Sequence, residues 1–163
     1  MPAKNPVADF SAYPAEREIT LTRVFDAPRA LVFNAWTDPA LLKAWWGPKH
    51  FTNPVCEVDA RVGGAWHIVM RAPDGTEFPC GGVYREFVPP ERLVFTNNSV
   101  DKQGRPMIDG LTTVTFAEQG SKTKLTLQTR GVARVDYAAA FLVGMEMGWT
   151  QSLDRLAQQL PQS

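Results

Sequence analysis

The stretch from Thr22 to Pro48 constrains the fold more than any other part of the chain. Thr22-Arg23-Val24-Phe25-Asp26-Ala27-Pro28 is followed by Trp36-Thr37-Asp38-Pro39 and then by Trp45-Trp46-Gly47-Pro48. Before it, from Glu18, apolar and polar residues alternate. Ile19, Leu21, Arg23 and Phe25 share one face, which predicts a first strand. Asp26 and Pro28 then signal a helix start, because Asp can cap free amides and Pro has no N–H to leave unpaired. Leu31, Val32, Ala35 and Trp36 recur at helical spacing, and Asp38-Pro39 repeats the start signal for a second short helix. Gly47-Pro48 stops it. A strand followed at once by two short helices and an aromatic corner is one sheet edge with helices packed at its end. Something else must then fill the sheet's concave face.

Six further strand candidates follow, over 55–62, 65–70, 81–87, 92–97, 111–117 and 122–130, which makes seven in all. They are separated by turn signals at Pro73-Asp74-Gly75, Val88-Pro89-Pro90-Glu91 and Gln119-Gly120-Ser121, the pattern of an antiparallel meander. Gly63-Gly64 and Gly81-Gly82 stand at strand starts. They mark either bends that let the sheet curl or places where a ligand approaches the backbone. The segment 98–110 is polar and long for a connection, either a flap over a pocket mouth or a long hairpin tip.

The concave face finds its filler in a predicted helix over 137–160, capped by Asp136 and ended by Pro161. Ala138, Phe141, Leu142, Met145, Trp149, Leu153, Leu156 and Leu160 form one apolar stripe. At 1.5 Å per residue the helix is about 36 Å long, enough to cross the sheet. Gly144 and Gly148 within it cost roughly 1 kcal/mol each against Ala, which implies either close packing or room left beside the helix.

Composition excludes several classes. The 163 residues suit one domain over 18–160 behind a flexible tail over 1–17. Such a chain buries roughly 70% of its unfolded surface and needs no metal or disulfide to fold. Seventeen basic and seventeen acidic side chains cancel, and no basic run exists, so nucleic acid is not an expected partner. No apolar run approaches a membrane span, and residues 1–11 lack the apolar core of a signal peptide. The expected compartment is the cytoplasm. Cys56 and Cys80, 24 positions apart, build no zinc spacing and read as reduced, partly buried thiols.

Catalytic motifs are missing: there is no G-x-S-x-G, H-E-x-x-H or phosphate-binding glycine loop. His67 lies on the strand face opposite Trp66 and Ile68, and His50 lies in a loop; both read as structural or solvated. Glu146 flanks the apolar stripe, pointing either inward to orient a polar ligand group or outward as a surface acid. Tyr84 and Arg85 alternate, so one of them faces the helix. Trp36, Trp45, Trp46, Trp66 and Trp149 are either core or pocket wall.

These residues carry a resemblance. Arg23-Val24-Phe25-Asp26-Ala27-Pro28, Ala35-Trp36-Thr37-Asp38-Pro39, Trp45-Trp46-Gly47-Pro48, Gly63-Gly64, Met70-Arg71-Ala72-Pro73-Asp74-Gly75, Gly82-Val83-Tyr84-Arg85-Glu86 and Pro89-Pro90-Glu91-Arg92-Leu93 occur in that order. Over 18–160 the chain resembles the bacterial proteins similar to the C-terminal domain of the heat-shock chaperone ATPase activator (AHSA1-like). These belong to the START and birch-pollen-allergen superfamily, SRPBCC. The resemblance implies an α+β helix-grip fold: a curved antiparallel sheet of six to seven strands around a long C-terminal helix, two short helices closing one end, and a deep cavity between. The superfamily includes lipid carriers, hormone receptors, polyketide cyclases and antibiotic-sequestering proteins, and it brings no shared catalytic motif to a position here.

The expected function is therefore non-catalytic binding of a small hydrophobic or amphipathic molecule. Trp46, Trp66, Ile68, Met70, Tyr84, Phe95, Phe141, Met145, Glu146 and Trp149 are its expected contacts. No cofactor or metal is expected. One alternative is a cyclase- or hydrolase-like enzyme acting on a polyketide or aromatic compound, with at least two of Glu146, Tyr84, His67 and Arg85 on the cavity wall. Another is a protein-interaction module related to chaperone activation, which requires a large exposed apolar patch. The chaperone activators carry an additional N-terminal domain, where this sequence has only the tail before Glu18, which disfavours chaperone contact. A homodimer through an exposed strand edge, or through the face of Trp45 and Trp46, is a further expectation.

Overall fold

The computed structural model describes residues 15–101, 103–135 and 138–160, with nothing said of the Ala140 side chain. Residues 1–14 of the expected tail, the Asp136 cap, Tyr137 and the Pro161 stop lie outside the described residues. The elements run β1 (Glu16–Phe25), α1 (Arg29–Thr37), α2 (Pro39–Leu42), β2 (Thr52–Val58), β3 (Ala65–Arg71), β4 (Glu77–Val88), β5 (Arg92–Val100), β6 (Pro106–Gln119), β7 (Lys122–Ala133), α3 (Ala139–Val143) and α4 (Met145–Gln159). The strands form one antiparallel sheet in the order β1-β7-β6-β5-β4-β3-β2. This is the expected meander, with the first strand added beside the last. Glu16 and Arg17, assigned to the tail from sequence, already belong to β1 and pair with Val132 and Gly131.

The alternation read from sequence sets the inner face. Ile19 and Phe25, Trp66 and Ile68, Tyr84, Phe95, Val114 and Phe116, and Leu125 and Leu127 are all buried there. At one end α1 and α2 close over this face with Val32, Phe33, Trp36 and Leu42. Asp38 caps α2 by accepting from the Ala40 amide at 2.9 Å, with Pro39 in the first turn. Asp26 does not cap α1: Pro28 occupies the N-cap position, with no side-chain cap bond. The corner after α2 also turns inward. Trp45 is 0% exposed and Trp46 8%, so the face of Trp45 and Trp46 is core and is not a dimer surface. The Trp45 indole N–H donates to Ala35 O at 3.0 Å. The sheet's two edges are β1 and β2.

Three segments differ from the sequence reading. β2 ends at Val58 because the chain closes into a tight turn over 59–64, where Gly63 has φ of +80° and Gly64 donates to Arg61 O. β4 begins at Glu77, with Pro79 opposite Val69. The segment 98–110 is no flap. Asn98 and Ser99 pair with Asp109 and Ile108, which lengthens the β5–β6 hairpin, and the Asp101 carboxylate accepts from the amides of Gln103 and Arg105 at its tip.

The C-terminal helix is not continuous. It breaks at Gly144 (φ −87°, ψ 0°) into α3 and α4. In an unbroken helix the carbonyls of Leu142 and Val143 would accept from amides four residues on. Here both accept instead from Arg17 Nη1 of β1, at 2.9 and 2.7 Å. Glycine makes the break inexpensive, since it holds the helical conformation weakly.

The glycine pairs mark places where one backbone approaches another. An added Cβ at Gly64 would stand 2.0 Å from Asp59 O, at Gly81 2.7 Å from Trp66 O, and at Gly82 1.7 Å from Thr96 O. These are bends and contacts internal to the sheet, beside a β4–β5 register shift between Tyr84 and Glu86. Gly82→Ala is therefore expected to lower stability by about 3 kcal/mol or more, since backbone and not a flexible side chain must yield. Urea denaturation of the two proteins checks this; a loss under about 1 kcal/mol would contradict the close approach.

Candidate functional site

A cavity of about 210 Å³ lies between the inner sheet face and the broken C-terminal helix. Trp66 and Met70 of β3, Cys80 of β4, Asn97 and Ser99 of β5, Ile108 of β6 and Gly131 of β7 form its floor. Phe141 and Leu142 of α3 and Met145, Gly148, Trp149 and Ser152 of α4 form its roof. Trp46, Gly47 and Pro48 close one side. The space opens beside Gly148, which has no side chain to fill it. A Cβ at Gly148 would meet nothing within 4 Å, whereas one at Gly131 would stand 2.9 Å from Leu142 Cδ2. Of the two readings offered by Gly148, room beside the helix is the one observed.

The closing side is held by a latch from α4. Arg155 donates to five carbonyls: Nη1 to Trp46, Gly47 and Pro48 at 3.1, 3.0 and 2.9 Å, and Nη2 to Ala44 and Phe51 at 3.2 and 3.0 Å. Ser152 Oγ adds a bond to Gly47 O at 2.9 Å, and Asn53 Nδ2 bonds Lys43 O and Trp46 O at 2.9 and 2.8 Å. Burial draws the Arg155 guanidinium down from its usual pKa, because removal from water disfavours the charged form.

Six of the ten residues expected from sequence meet at this cavity: Trp46, Trp66, Met70, Phe141, Met145 and Trp149. The others sit elsewhere. Ile68 is fully buried in the core. Tyr84 and Phe95 lie in packed aromatic core around a void of about 10 Å³. Glu146 points outward, its side chain 55% exposed and paired with Arg17 at 3.3 Å. The quartet that an enzyme reading requires is thus dispersed. His67 and Arg85 are exposed on the far face of the sheet, Glu146 is outside, and Tyr84 is inside but off the cavity. Cys80, Asn97, Ser99, Ile108, Gly131 and Ser152 were not anticipated. Strand parity carried a signal for two of them, since Cys80 shares a face with Tyr84 and Asn97 with Phe95, whereas ending β5 at Asn97 hid Ser99.

The wall is uncharged among the described residues, and none of these forms a group of three or more His, Cys, Asp or Glu able to hold a metal. Cys56 and Cys80 are free thiols. Part of Cys80 is open to the cavity, yet the atoms around its sulfur are dense enough that burial pushes the thiol up to about 12, against the smaller opposing pull of a hydrogen bond from Trp46. Burial likewise moves Cys56 up to about 11 and raises the Tyr84 phenol.

Two outcomes follow. Arg155→Lys keeps the charge but loses the planar fork, and is expected to cost about 2 kcal/mol and red-shift tryptophan emission as the Trp46 corner loosens; thermal and fluorescence unfolding read both. Stability is also expected to fall at high pH. Below the ordinary thiol value of 9.0 both folded and unfolded chains hold the Cys80 proton, and that contribution is intact. As pH rises above 9 the unfolded chain releases the proton while the fold retains it to about 12, so stability drops by about 1.4 kcal/mol per pH unit for this group. Tyr84 adds to the loss above its ordinary 10.0. Urea midpoints at pH 8 and pH 10.5 test the slope, and equal midpoints would contradict it.

The sequence model of the family described as "Activator of Hsp90 ATPase homolog 1-like protein" matches residues 26–160. No curated protein matches the chain. Among solved structures, protein CV1439 from Chromobacterium violaceum is 35% identical, with a TM-score of 0.78 over 88% of this chain and 96% of that one. The AHSA1 protein SPO3351 from Silicibacter pomeroyi is 27% identical, with a TM-score of 0.76 over 88% and 96%. Protein NE0264 from Nitrosomonas europaea is 27% identical, with a TM-score of 0.71 over 87% and 92%. Seven antiparallel strands gripping a C-terminal helix, in the motif order read above, agree with these matches: the chain belongs to the AHSA1 family of Activator of Hsp90 ATPase homolog 1-like proteins and has its helix-grip fold.

Proposed function

We propose that the protein binds a small, mainly apolar molecule in the cavity beneath α3 and α4 without transforming it. The observation that carries this reading is the pairing of unfilled space with an apolar wall: Gly148 faces open volume that Trp46, Trp66, Met70, Met145 and Trp149 surround. The volume of about 210 Å³ is below that of drug-sized sites and equals about seven waters' share of the liquid, enough for a single-ring compound. Ring side chains bury about 150–250 Å². At about 25 cal/mol per Å² a guest of that size gains about 4–6 kcal/mol, which corresponds to dissociation constants from millimolar down to tens of micromolar. Two free thiols accord with a reducing compartment such as the cytoplasm.

A second reading has its own observation. Phe141, Val143 and Met147 are exposed around the α3–α4 corner, with Met147 at 68%. A protein contact, whether a second copy of the chain or a chaperone of the kind named by the family description, would use this corner.

Benzene as a minimal apolar guest tests the first reading. In NMR titrations it is expected to shift the indole N–H signals of Trp46, Trp66 and Trp149. Gly148→Leu, whose side chain enters the empty space, is expected to weaken that response at least tenfold while its unfolding midpoint holds. If benzene moves no wall signal in the wild-type protein, the cavity reading fails. Masses at twice the chain in native spectra, abolished by Met147→Glu, would favour the corner.

A further inference from the structure

On the floor of the cavity the polar side chains cluster on β5, as Asn97, Asn98 and Ser99, while Ser152 of the roof donates its hydroxyl to Gly47 O. Thr112 and Thr129 are buried on neighbouring strands, 0% and 1% exposed. Thr112 Oγ1 donates to Asn97 Oδ1 at 2.8 Å. A hydroxyl has one hydrogen to give, so the 2.7 Å contact between the two threonines has Thr129 as donor. The relay therefore runs from Thr129 to Thr112 to the carbonyl end of the Asn97 amide. Asn97 Oδ1 is thereby fixed toward Thr112, which leaves the two donors on Nδ2 at the other end of the amide.

The backbone is shaped to hold that amide. Gly110 of β6 lies opposite Asn97 in one direction and opposite Gly131 of β7 in the other. A Cβ at Gly110 would stand 2.7 Å from Asn97 Nδ2 and 2.9 Å from its Oδ1, so the amide lies over the strand where no side chain intervenes. The rest of the wall differs in character. Trp46 sits edge-on to Trp66 and to Trp149, both at 5.3 Å between ring centres. Trp66 donates its N–H to Thr96 O at 3.0 Å. Among the described lining residues none is charged, so a carboxylate or ammonium drawn inside would have no counter-charge.

We propose that the cavity selects neutral ring compounds of roughly ten non-hydrogen atoms that carry one hydrogen-bond acceptor, a ketone, aldehyde or ether oxygen, seated on Asn97 Nδ2 with the ring among the indoles. This rests on the reading of the cavity as a ligand site and adds the class of ligand. Asn97 is the specificity-determining residue, and Thr112 and Thr129 position it.

Three probes of equal size and similar shape separate the possibilities: acetophenone, α-methylstyrene, which replaces the carbonyl oxygen by a methylene, and benzoate, which adds charge. Chemical-shift titrations of the full chain give their affinities, with the Asn97 side-chain NH₂ signals as a local reporter. The wild-type protein is expected to bind acetophenone about tenfold tighter than α-methylstyrene and to bind benzoate weakest. Asn97→Leu and Asn97→Asp each remove the Nδ2 donors, and Asn97→Asp keeps an acceptor for Thr112. Both are expected to lose the preference for acetophenone, and in Asn97→Leu an unchanged affinity for α-methylstyrene would show that the cavity is intact. Equal binding of acetophenone and α-methylstyrene by the wild type would overturn the anchor and leave the cavity reading standing, as would a preference that survives both variants. Tightest binding of benzoate would overturn the neutral class. If none of the probes binds, the cavity reading itself falls, and this inference falls with it.

Discussion

The hold of Arg155 on the carbonyls of the aromatic corner is the interaction on which the site depends. Residues 44–51 leave α2 with their carbonyls turned toward α4, and a turn of that kind exposes acceptors that the sheet cannot satisfy. One guanidinium takes five of them, and Ser152 shares Gly47 O from one helical turn earlier. A planar group with five N–H donors is the side chain able to serve so many acceptors at once. The bonds fix both the loop and the helix. Trp46 is thereby placed between Trp36, Trp66 and Trp149, and the same residue that completes the aromatic core closes the cavity.

Arg17 plays the matching part at the other end of the helical segment. By taking the carbonyls of Leu142 and Val143 it ends α3 and lets the chain change direction at Gly144. Glu146 in the first turn of α4 completes the contact as a surface ion pair, which contributes modestly by itself. With the roof latched at both ends, α4 spans the cavity without collapsing onto the floor. The missing side chain at Gly148 is then left as volume rather than absorbed by repacking. Elsewhere in the molecule the same residue type does the opposite: Gly81 and Gly82 let strands approach where any Cβ would collide.

Much of this architecture was legible in the residues. Alternation from Ile19 to Phe25, the Asp38-Pro39 start of α2 and the turn at Pro73-Asp74-Gly75 each report a local preference that the fold satisfies. Wall residues on strongly apolar faces, such as Trp66 and Met70 or Met145 and Trp149, could be found the same way. Alternation did not separate those facing the cavity from those facing solid core. Ile68 and Met70 share one strand face, yet Ile68 packs under neighbours while Met70 reaches the space. Ser99 looked like loop and Asn97 like a strand end, because polar residues in a strand announce nothing until the partner strand is known.

The sequence by itself determined the elements, their order and which faces turn inward, because those follow from spacing, turn chemistry and the burial preference of each side chain, all of them properties of neighbours along the chain. The tertiary structure decided where the last helix breaks, that Trp45 and Trp46 are core, that Glu146 faces solvent, and that a space remains between Gly148 and the sheet. Each of these depends on groups far apart in sequence, Arg17 with Leu142 across 125 positions and Arg155 with Trp46 across 109. Hydrogen bonds and voids of that range leave no periodic trace in the chain that forms them.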